Sequence, residues 1–153
     1  MTDDQRHQLL AEAAHLQLAA SHLAFSMQRT EALIGRSAWT PEELERLESL
    51  CSRFARLSDL LTQRVMRLVD YIELTPDGSL LDRIHRAEKR GWANEANLLV
   101  RIRELRNVIA HEYAADKMAD LYAATATLAP KLFGVVPMVV AYCERLGASE
   151  SRS

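Results

Sequence analysis

Apolar side chains recur every three or four positions along the first half of the chain, the spacing that places residues on one face of an α-helix. In the first such stretch these positions are Leu9, Ala13, Leu16, Ala20, Leu23 and Met27. In the second stretch they are Leu44, Leu47, Cys51, Phe54, Ser58, Leu61, Val65, Leu68 and Ile72. A repeat that averages about 3.5 residues keeps one seam turned towards a neighbouring helix. The pattern predicts two long helices packed along their lengths.

Capping signals mark where these two helices begin and where the first one ends. Thr2 and Gln5 fit the capping-box pattern, in which the two side chains satisfy backbone donors of the first turn. Thr40 and Glu43 repeat this pattern before the second helix. Gly35 can take the left-handed conformation that commonly terminates a helix. Because the connection between the helices is short, we expect them to lie antiparallel.

The rest of the pattern predicts further helices and no second domain. The predicted helices cover about residues 3–34, 41–74, 79–91, 93–113 and 116–145, with Ser79 as the cap of the third. Pro130 and Pro137 each remove a backbone donor, so we expect the last helix to be kinked or divided. The predicted fold class is all-α: an antiparallel up-and-down helical bundle of four to five helices over 1–148, followed by a disordered tail over 149–153.

Composition agrees with a helical protein and limits its binding partners. Only 5 of the 153 residues are Gly and 4 are Pro, which is few for a β-rich fold. The 19 Lys and Arg against 21 Asp and Glu give a net charge of −2. No global field would therefore attract nucleic acid, and any RNA binding would need a local basic patch.

The cysteine content and the absence of targeting signals predict a cytoplasmic protein. Cys51 and Cys143 are far apart in sequence and have no further cysteines to pair with, which indicates reduced core thiols. The first residues are acidic and lack a following apolar core, so no signal peptide is expected. No stretch reaches the roughly 20 apolar residues that span a bilayer, so no membrane contact is expected.

Residues 106–113, with the sequence RNVIAHEY, form the most informative segment of the chain. The pattern Arg106-x4-His111-x-Tyr113, with Asn107 after the arginine, resembles the signature of HEPN-domain proteins. More narrowly, it resembles the HepT-like toxins that are paired with minimal nucleotidyltransferase (MNT) antitoxins. The motif covers about ten residues. The family's antiparallel helical bundle, which forms a homodimer, is similar to the architecture predicted for nearly the whole chain.

The resemblance implies a metal-independent endoribonuclease that acts as the toxin of a toxin–antitoxin system. It implies that Arg106 and His111 are catalytic, that Asn107 supports them, and that dimerisation forms a composite cleft. Histidine suits acid or base catalysis because its pKa lies near neutrality, and arginine suits the charge that builds up on a phosphorane. It also implies that the nucleotidyltransferase antitoxin attaches AMP to Tyr113. No cofactor and no metal are expected.

Helix geometry adds a constraint on this site. In an ideal helix Asn107 and His111 differ by about 40° around the axis, and Arg106 and Tyr113 by about 20°. Arg106 and His111, however, differ by about 140° and by about 7.5 Å of rise. Either the helix is distorted near His111, or two copies of the segment meet across a two-fold axis.

An excess of basic residues precedes the motif. Between residues 82 and 106 there are four acidic residues and seven basic ones: Arg83, Arg86, Lys89, Arg90, Arg101, Arg103 and Arg106. Such a stretch can form a local patch for single-stranded RNA, with Arg101 and Arg103 as contacts. The alternative is a solvated face held by ion pairs.

The sequence is also compatible with other functions. A non-catalytic HEPN adaptor, or a nucleotide-binding subunit of a nucleotidyltransferase complex, would not need all three motif residues. A HEPN nuclease of phage defence would act without this antitoxin. In a purely structural interpretation, Arg106 and His111 contact carbonyl groups at a helix end. Glu12 and His15 have the spacing of a helical metal pair but lack a third ligand.

Overall fold

The computed structural model describes residues 1–76, 78–95, 97–112 and 114–150, which form helices and connecting turns without a β-strand. The helices are α1 (Asp3–Thr30), α2 (Pro41–Asp59), α3 (Met66–Ile72), α4 (Leu80–Lys89), α5 (Leu98–His111) and α6 (Met118–Glu150). A π-helical segment, Leu60–Val65, joins α2 to α3 into one continuous helical rod. Short 3₁₀ turns, Glu31–Leu33 and Ala115–Lys117, follow α1 and precede α6. The predicted all-α fold is confirmed.

The two predicted apolar seams form the centre of the core. Leu9, Leu16 and Leu23 of α1 are fully buried, and so are Leu47 and Phe54 of α2. α1 packs against both α2 and α6, so its buried side is enclosed by two helices. Each fully buried Leu or Phe side chain contributes about 1.5–3 kcal/mol by leaving water, so these seams drive the assembly of the bundle.

The predicted starts of α1, α2 and α4 are confirmed by their caps. The Thr2 hydroxyl accepts a hydrogen bond from the Gln5 amide at 3.1 Å, and the Gln5 side chain accepts one from the Thr2 amide at 2.9 Å. Thr40 begins α2 with the same box. Ser79 and Asp82 form a third box at the start of α4. These pairs satisfy backbone donors that would otherwise lack partners.

Some predicted boundaries are wrong by a few residues. α1 ends at Thr30 and only a 3₁₀ turn continues to Leu33. α5 begins at Leu98 and not at residue 93, because Asn97 has a left-handed backbone with φ of 61°, which no α-helix can run through. Ser149 and Glu150 belong to α6 and not to a tail, while residues 151–153 lie outside the described part of the chain.

The prolines do not divide the last helix, so of the two predicted outcomes, a kink or a division, the division is wrong. α6 is one helix with Pro130 and Pro137 inside it. Both prolines are exposed and lie seven residues apart, so they share one face. The carbonyl groups that lose a helical donor therefore lie on the solvent side, where water can satisfy them.

α6 also corrects the prediction that no stretch is long and apolar enough for a membrane. The segment Ala115–Ala148 meets that criterion by length and composition alone. Of its most apolar window, 44% is buried, and the helix packs against α1, α2 and α5. The core helix of a bundle meets the same criterion, so this is weak evidence for a membrane span.

A buried ion-pair cluster fixes the short α4 to its neighbours. Asp70 of α3 accepts hydrogen bonds from Arg86 at 2.7 Å and from Arg90 at 2.8 Å. Arg90 also contacts Glu73 at 3.1 Å, and Glu73 accepts a hydrogen bond from the Tyr142 hydroxyl of α6 at 2.8 Å. The cluster therefore links three helices.

The two cysteines are core residues, as predicted. Cys51 and Cys143 are buried and free. Burial raises the pKa of both thiols, that of Cys143 to about 11, because the thiolate would lose its hydration. Neither is suited to act as a nucleophile.

Candidate nucleic-acid site

Arg106 is held in place by an aspartate on another helix. Its Nε and Nη2 atoms donate hydrogen bonds of 2.8 and 2.9 Å to the two carboxylate oxygens of Asp59, the last residue of α2. Arg103, one turn earlier on α5, donates to the same carboxylate at 2.9 Å. Such a two-pronged arginine–carboxylate pair fixes the plane of the guanidinium group as well as its position.

The electrostatics of this cluster favour the charged form of Arg106. Hydrogen bonding to Asp59 raises the pKa of Arg106 above its usual value, since the neighbouring carboxylate favours the charged form. The Arg106 side chain is 26% exposed, and Asp59 is 35% exposed. The cluster is therefore open to solvent on one side, where an anionic ligand can reach it.

A groove of about 600 Å³ opens beside this cluster, and we call it the Arg106 groove. It is lined by Arg56, Asp59, Leu60, Gln63, Arg64, Arg103 and Arg106. Four arginines face one aspartate, so the groove is locally basic although the whole chain is not. Part of its wall is the π-helical segment, and π-helical turns are frequent at functional sites.

His111 and Asn107 lie on a different face of α5. Both are exposed, and they share a solvent-facing line with Glu104 and with Val108, which is 47% exposed. α5 is α-helical through His111, so the helix distortion considered from the sequence is not present between Arg106 and His111. Among the described residues no hydrogen bond or ion pair joins the two side chains. A single chain does not bring them together.

The predicted modification site, Tyr113, lies outside the described residues. α5 ends at His111, and Glu112 has an extended backbone with φ of −88° and ψ of 121°. The predicted 20° alignment of Arg106 with Tyr113 assumed a helix that continued to the tyrosine.

The basic stretch between residues 82 and 106 does not form one patch. Arg86 and Arg90 are engaged with Asp70, and Arg83 is buried. Arg101, predicted as an RNA contact, pairs with Glu95 at 3.0 Å and does not line the Arg106 groove. Helical rotation explains this dispersal, because residues 83 to 106 fall on two helices and several faces. Of the seven basic residues in this stretch, Arg103 and Arg106 are the only ones that line the groove in the described part of the chain.

Sequence reasoning missed the contribution of α2 to this site. Arg56, Asp59 and Gln63 are spaced three and four residues apart, so they lie on one flank of the helical rod, beside its apolar seam. That spacing was a usable signal. What the sequence alone could not supply was the pairing of this flank with α5.

Possible metal-binding residues are engaged in other contacts. Glu12 approaches Arg64 at 3.3 Å and His15 at 3.8 Å. Within the described ranges no three His, Cys, Asp or Glu residues are grouped closely enough to hold a metal ion. The chemistry of the groove is that of guanidinium groups, which bind phosphate oxygens.

Known proteins supply no relative for comparison: no family model matches the chain, and neither a curated protein nor a solved structure matches it.

Proposed function

We propose that this chain is a HEPN-type toxin, a metal-independent endoribonuclease that acts on RNA as a homodimer in the cytoplasm. The observation that carries the proposal is the Arg106 guanidinium, which Asp59 holds at the edge of a basic groove. A fixed cation beside further arginines suits the recognition and polarisation of a phosphodiester.

The proposed reaction is transesterification within the RNA strand. A 2′-hydroxyl attacks the adjacent phosphorus, and the new 2′-oxygen–phosphorus bond replaces the bond to the 5′-oxygen. The 2′-hydroxyl loses a proton and the leaving 5′-oxygen gains one; His111 catalyses one of these transfers, as base or as acid, and water takes part in the other. Arg106 stabilises the negative charge that accumulates on the phosphorane oxygens. The products are a 2′,3′-cyclic phosphate and a 5′-hydroxyl.

A two-fold dimer supplies what the single chain lacks. Arg106 and His111 diverge by about 140° on a regular helix, so the His111 that completes a site would come from the second copy. The exposed line of α5 that carries Asn107, Val108 and His111 is the surface that would approach the axis. In this arrangement Asn107 lies beside His111 and orients the imidazole or the phosphate.

A cleavage assay tests the proposed nuclease directly. Labelled single-stranded RNA is incubated with the wild-type protein, Arg106→Ala or His111→Ala in the presence of EDTA. Loss of His111 should lower the rate by about 10²–10⁴, the usual contribution of acid–base catalysis. The matched control is His85→Ala, because His85 is an exposed histidine on α4 outside the groove. Equal rates for wild type and His111→Ala would exclude the proposed role.

The proposed partner is an MNT-type nucleotidyltransferase antitoxin that AMPylates Tyr113. An added phosphate near the cleft would repel RNA by its negative charge. Mass spectrometry after incubation with the partner and ATP should show AMP on Tyr113, and Tyr113→Phe should remain unmodified. AMP on another residue, or on none, removes this part of the proposal.

The second candidate is a non-catalytic adaptor or nucleotide-binding subunit of a nucleotidyltransferase complex. It is favoured by one observation: both carboxylate oxygens of Asp59 bind Arg106, which is also how a purely structural ion pair is built. Growth on induced expression separates the two. Growth arrest that Arg106→Ala abolishes supports the nuclease, whereas normal growth with a bound nucleotidyltransferase supports the adaptor.

A further inference from the structure

A line of exposed histidines and apolar side chains runs along α1, away from the motif segment. His15, Leu18, His22 and Phe25 follow one another at steps of three, four and three residues, so they share one face of the helix. All four are exposed, and Leu18 and Phe25 are 55% and 54% exposed. Exposed aromatic and apolar groups in a regular line are typical of a binding surface.

Arginines of the neighbouring helical rod face this line. Arg56 and Arg64 enclose a depression of about 250 Å³ with His15 and His22. A second depression of about 380 Å³ lies beside Phe25.

Arg53 lies between the two depressions. It lines the second depression and donates hydrogen bonds to the His22 carbonyl at 3.0 Å and to the Ser26 hydroxyl at 2.8 Å. The two depressions share no lining residue but follow each other along α1 and α2, with Arg53 beside both. We call them together the α1–α2 groove, which includes His15, Leu18, His22, Phe25, Arg53, Arg56 and Arg64.

The α1–α2 groove continues into the Arg106 groove. Arg56, Leu60 and Arg64 line both the depression beside His15 and the groove beside Arg106. A strand lying across Arg106 would therefore meet this wall next. The continuity makes the two grooves parts of one surface.

The charges of the α1–α2 groove favour an anionic ligand. Arg56 forms no ion pair with any described residue, and the Arg64 side chain is 64% exposed although it contacts Glu12. Glu42 and Glu45 line the far end, beside Phe25. Arg29, Arg46 and Arg53 also line that end, so arginines outnumber carboxylates along the whole groove. The depression nearest to Arg106 has no acidic lining residue, and a phosphate backbone would enter there.

Phe25 has the surroundings of a base-stacking residue. The guanidinium groups of Arg29 and Arg53 lie 5.6 and 6.0 Å from the centre of its ring. Single-strand binding surfaces combine cations that contact phosphates with rings on which bases stack, and the same arrangement cannot engage the paired bases of a duplex.

We propose that the α1–α2 groove binds the single-stranded RNA that extends from the scissile phosphate, with Arg56 and Arg64 on phosphates and Phe25 under a base. The assignment of RNA as the ligand rests on the proposed nuclease function. The groove itself is defined by its own residues and can be tested by binding alone.

The experiment measures binding of the full-length protein to a fluorescein-labelled oligouridylate with 2′-O-methyl riboses, which cannot undergo the proposed cleavage. Fluorescence anisotropy is recorded over a series of NaCl concentrations. Phe25→Ala should weaken binding about 5- to 150-fold through the loss of one stacked base. The double variant Arg56→Ala/Arg64→Ala should lower the slope of log K against log salt by about 1.4, because each phosphate contact of a single strand contributes about 0.7.

Matched controls come from exposed residues outside the α1–α2 groove. Tyr71→Ala removes an aromatic ring that is 69% exposed, and Arg67→Ala removes an exposed arginine of α3. Both should bind as tightly as wild type. Circular dichroism and the mass in solution are measured for every variant, so that a change in folding or assembly is recognised.

Each result decides for or against the groove. Equal binding of single-stranded DNA supports it, because stacking and phosphate contacts do not need a ribose hydroxyl. Wild-type binding by Phe25→Ala and by the double arginine variant overturns it, as does tighter binding of duplex RNA. The proposal is also overturned if wild type binds no polynucleotide and these variants change the mass of the dimer. In that case the face is an interface between copies.

The two proposals fail separately. If the protein cleaves RNA and the groove variants bind normally, the groove proposal is wrong and the nuclease proposal stands. If the protein binds single strands through Phe25 and Arg56 but does not cleave RNA, the groove proposal stands and the nuclease proposal is wrong.

Discussion

Asp59 receives three hydrogen bonds from two arginines of another helix, and this carboxylate organises the site more than any residue of the motif itself. It lies at the junction of α2 and the π-helical segment, opposite Arg103 and Arg106. Because the cluster is about one-third exposed, its net contribution to stability is small, about 0–1 kcal/mol. Its value lies in the fixed direction of the Arg106 guanidinium.

Removing this carboxylate should impair catalysis more than folding. In the proposed nuclease, Asp59→Ala frees Arg106 to move by an ångström or more, and we expect kcat to fall about 10²-fold with a smaller change in KM. Asp59→Asn keeps one of the two acceptor oxygens and should recover part of the rate. The control is Glu95→Ala, because Glu95 also bridges two cations, Arg101 and Lys131, away from the groove. A rate unchanged in Asp59→Ala would show that the direction of Arg106 is unimportant.

The motif residues could be predicted from sequence, whereas their partner could not. Arg106, Asn107 and His111 stand in a short local pattern that is visible without a fold. Asp59 is 47 residues away from Arg106, and nothing local distinguishes it from any other aspartate on a helix. Arg101 and Arg103 looked equivalent in sequence, yet helical rotation places one beside Glu95 and the other beside Asp59.

At the scale of elements, the attachment of α4 depends on one buried carboxylate. The Asp70 side chain is 8% exposed and binds Arg86 and Arg90. Burial acts to raise the pKa of Asp70, but the hydrogen bonds from the two arginines outweigh it, so that the pKa is lowered. Removing one partner of a buried ion pair leaves the other charges uncompensated.

Asp70→Asn should therefore destabilise the protein by about 3–5 kcal/mol at neutral pH. The lowered pKa means that the unfolded chain binds a proton first as the pH falls below the ordinary value of 3.8. The contribution of Asp70 is fully present above that pH and is lost as the pH falls through the folded-state pKa. Urea unfolding is measured at pH 7, 5 and 3. The difference in the free energy of unfolding between wild type and variant should narrow only at pH 3. Asp116→Asn, an exposed control, should change stability by less than about 0.5 kcal/mol.

Two glycines should respond in opposite directions to the same substitution. A Cβ at Gly134, inside α6, or at Gly91, after α4, would meet no atom within 4 Å. Gly134 has no positive φ, so Gly134→Ala should stabilise the protein by about 0.5–1 kcal/mol through higher helix propensity. Gly91 has a φ of 81°, so Gly91→Ala should cost about 1–2 kcal/mol. Thermal unfolding of both variants measures this, and a shift of equal sign would contradict it.

The helices were predictable to different degrees for physical reasons. Capping boxes and seven-residue apolar repeats are local signals, and they placed the starts of α1 and α2 correctly. The start of α5 depends on the left-handed backbone of Asn97, which many sequences of similar composition would not adopt. The continuity of α6 depends on both prolines facing solvent. Which face of α6 is exposed is decided by the helices packed against it and not by its local sequence.

At the scale of the whole molecule, the proposed dimer predicts that two inactive variants regain activity when they are mixed, which a site within a single chain cannot do. Arg106→Ala and His111→Ala should each be inactive as homodimers. If the cleft is composite, a mixed dimer has one intact site, made of Arg106 from one copy and His111 from the other. Equal mixing after partial unfolding and refolding should restore about a quarter of the wild-type activity, because half of the dimers are mixed and each has one of two sites.

The control for this experiment is each variant carried through the same unfolding and refolding alone, which should stay inactive. Activity that fails to return, in a mixture whose mass shows mixed dimers, would place both groups of each site within one chain. That result would contradict the geometry of α5, in which the two residues point about 140° apart.

The separation of Arg106 and His111 around α5 has a consequence for a cell that makes the proposed toxin. A chain newly released from the ribosome carries both reactive groups on opposed sides of α5 and cannot use them until it meets another. When most chains are still single, the number of assembled clefts rises with the square of the chain concentration. A tenfold lower synthesis rate would then reduce damage to RNA about a hundredfold. Slow leakage from the gene would be tolerated without help, and only a burst of synthesis would need an antidote.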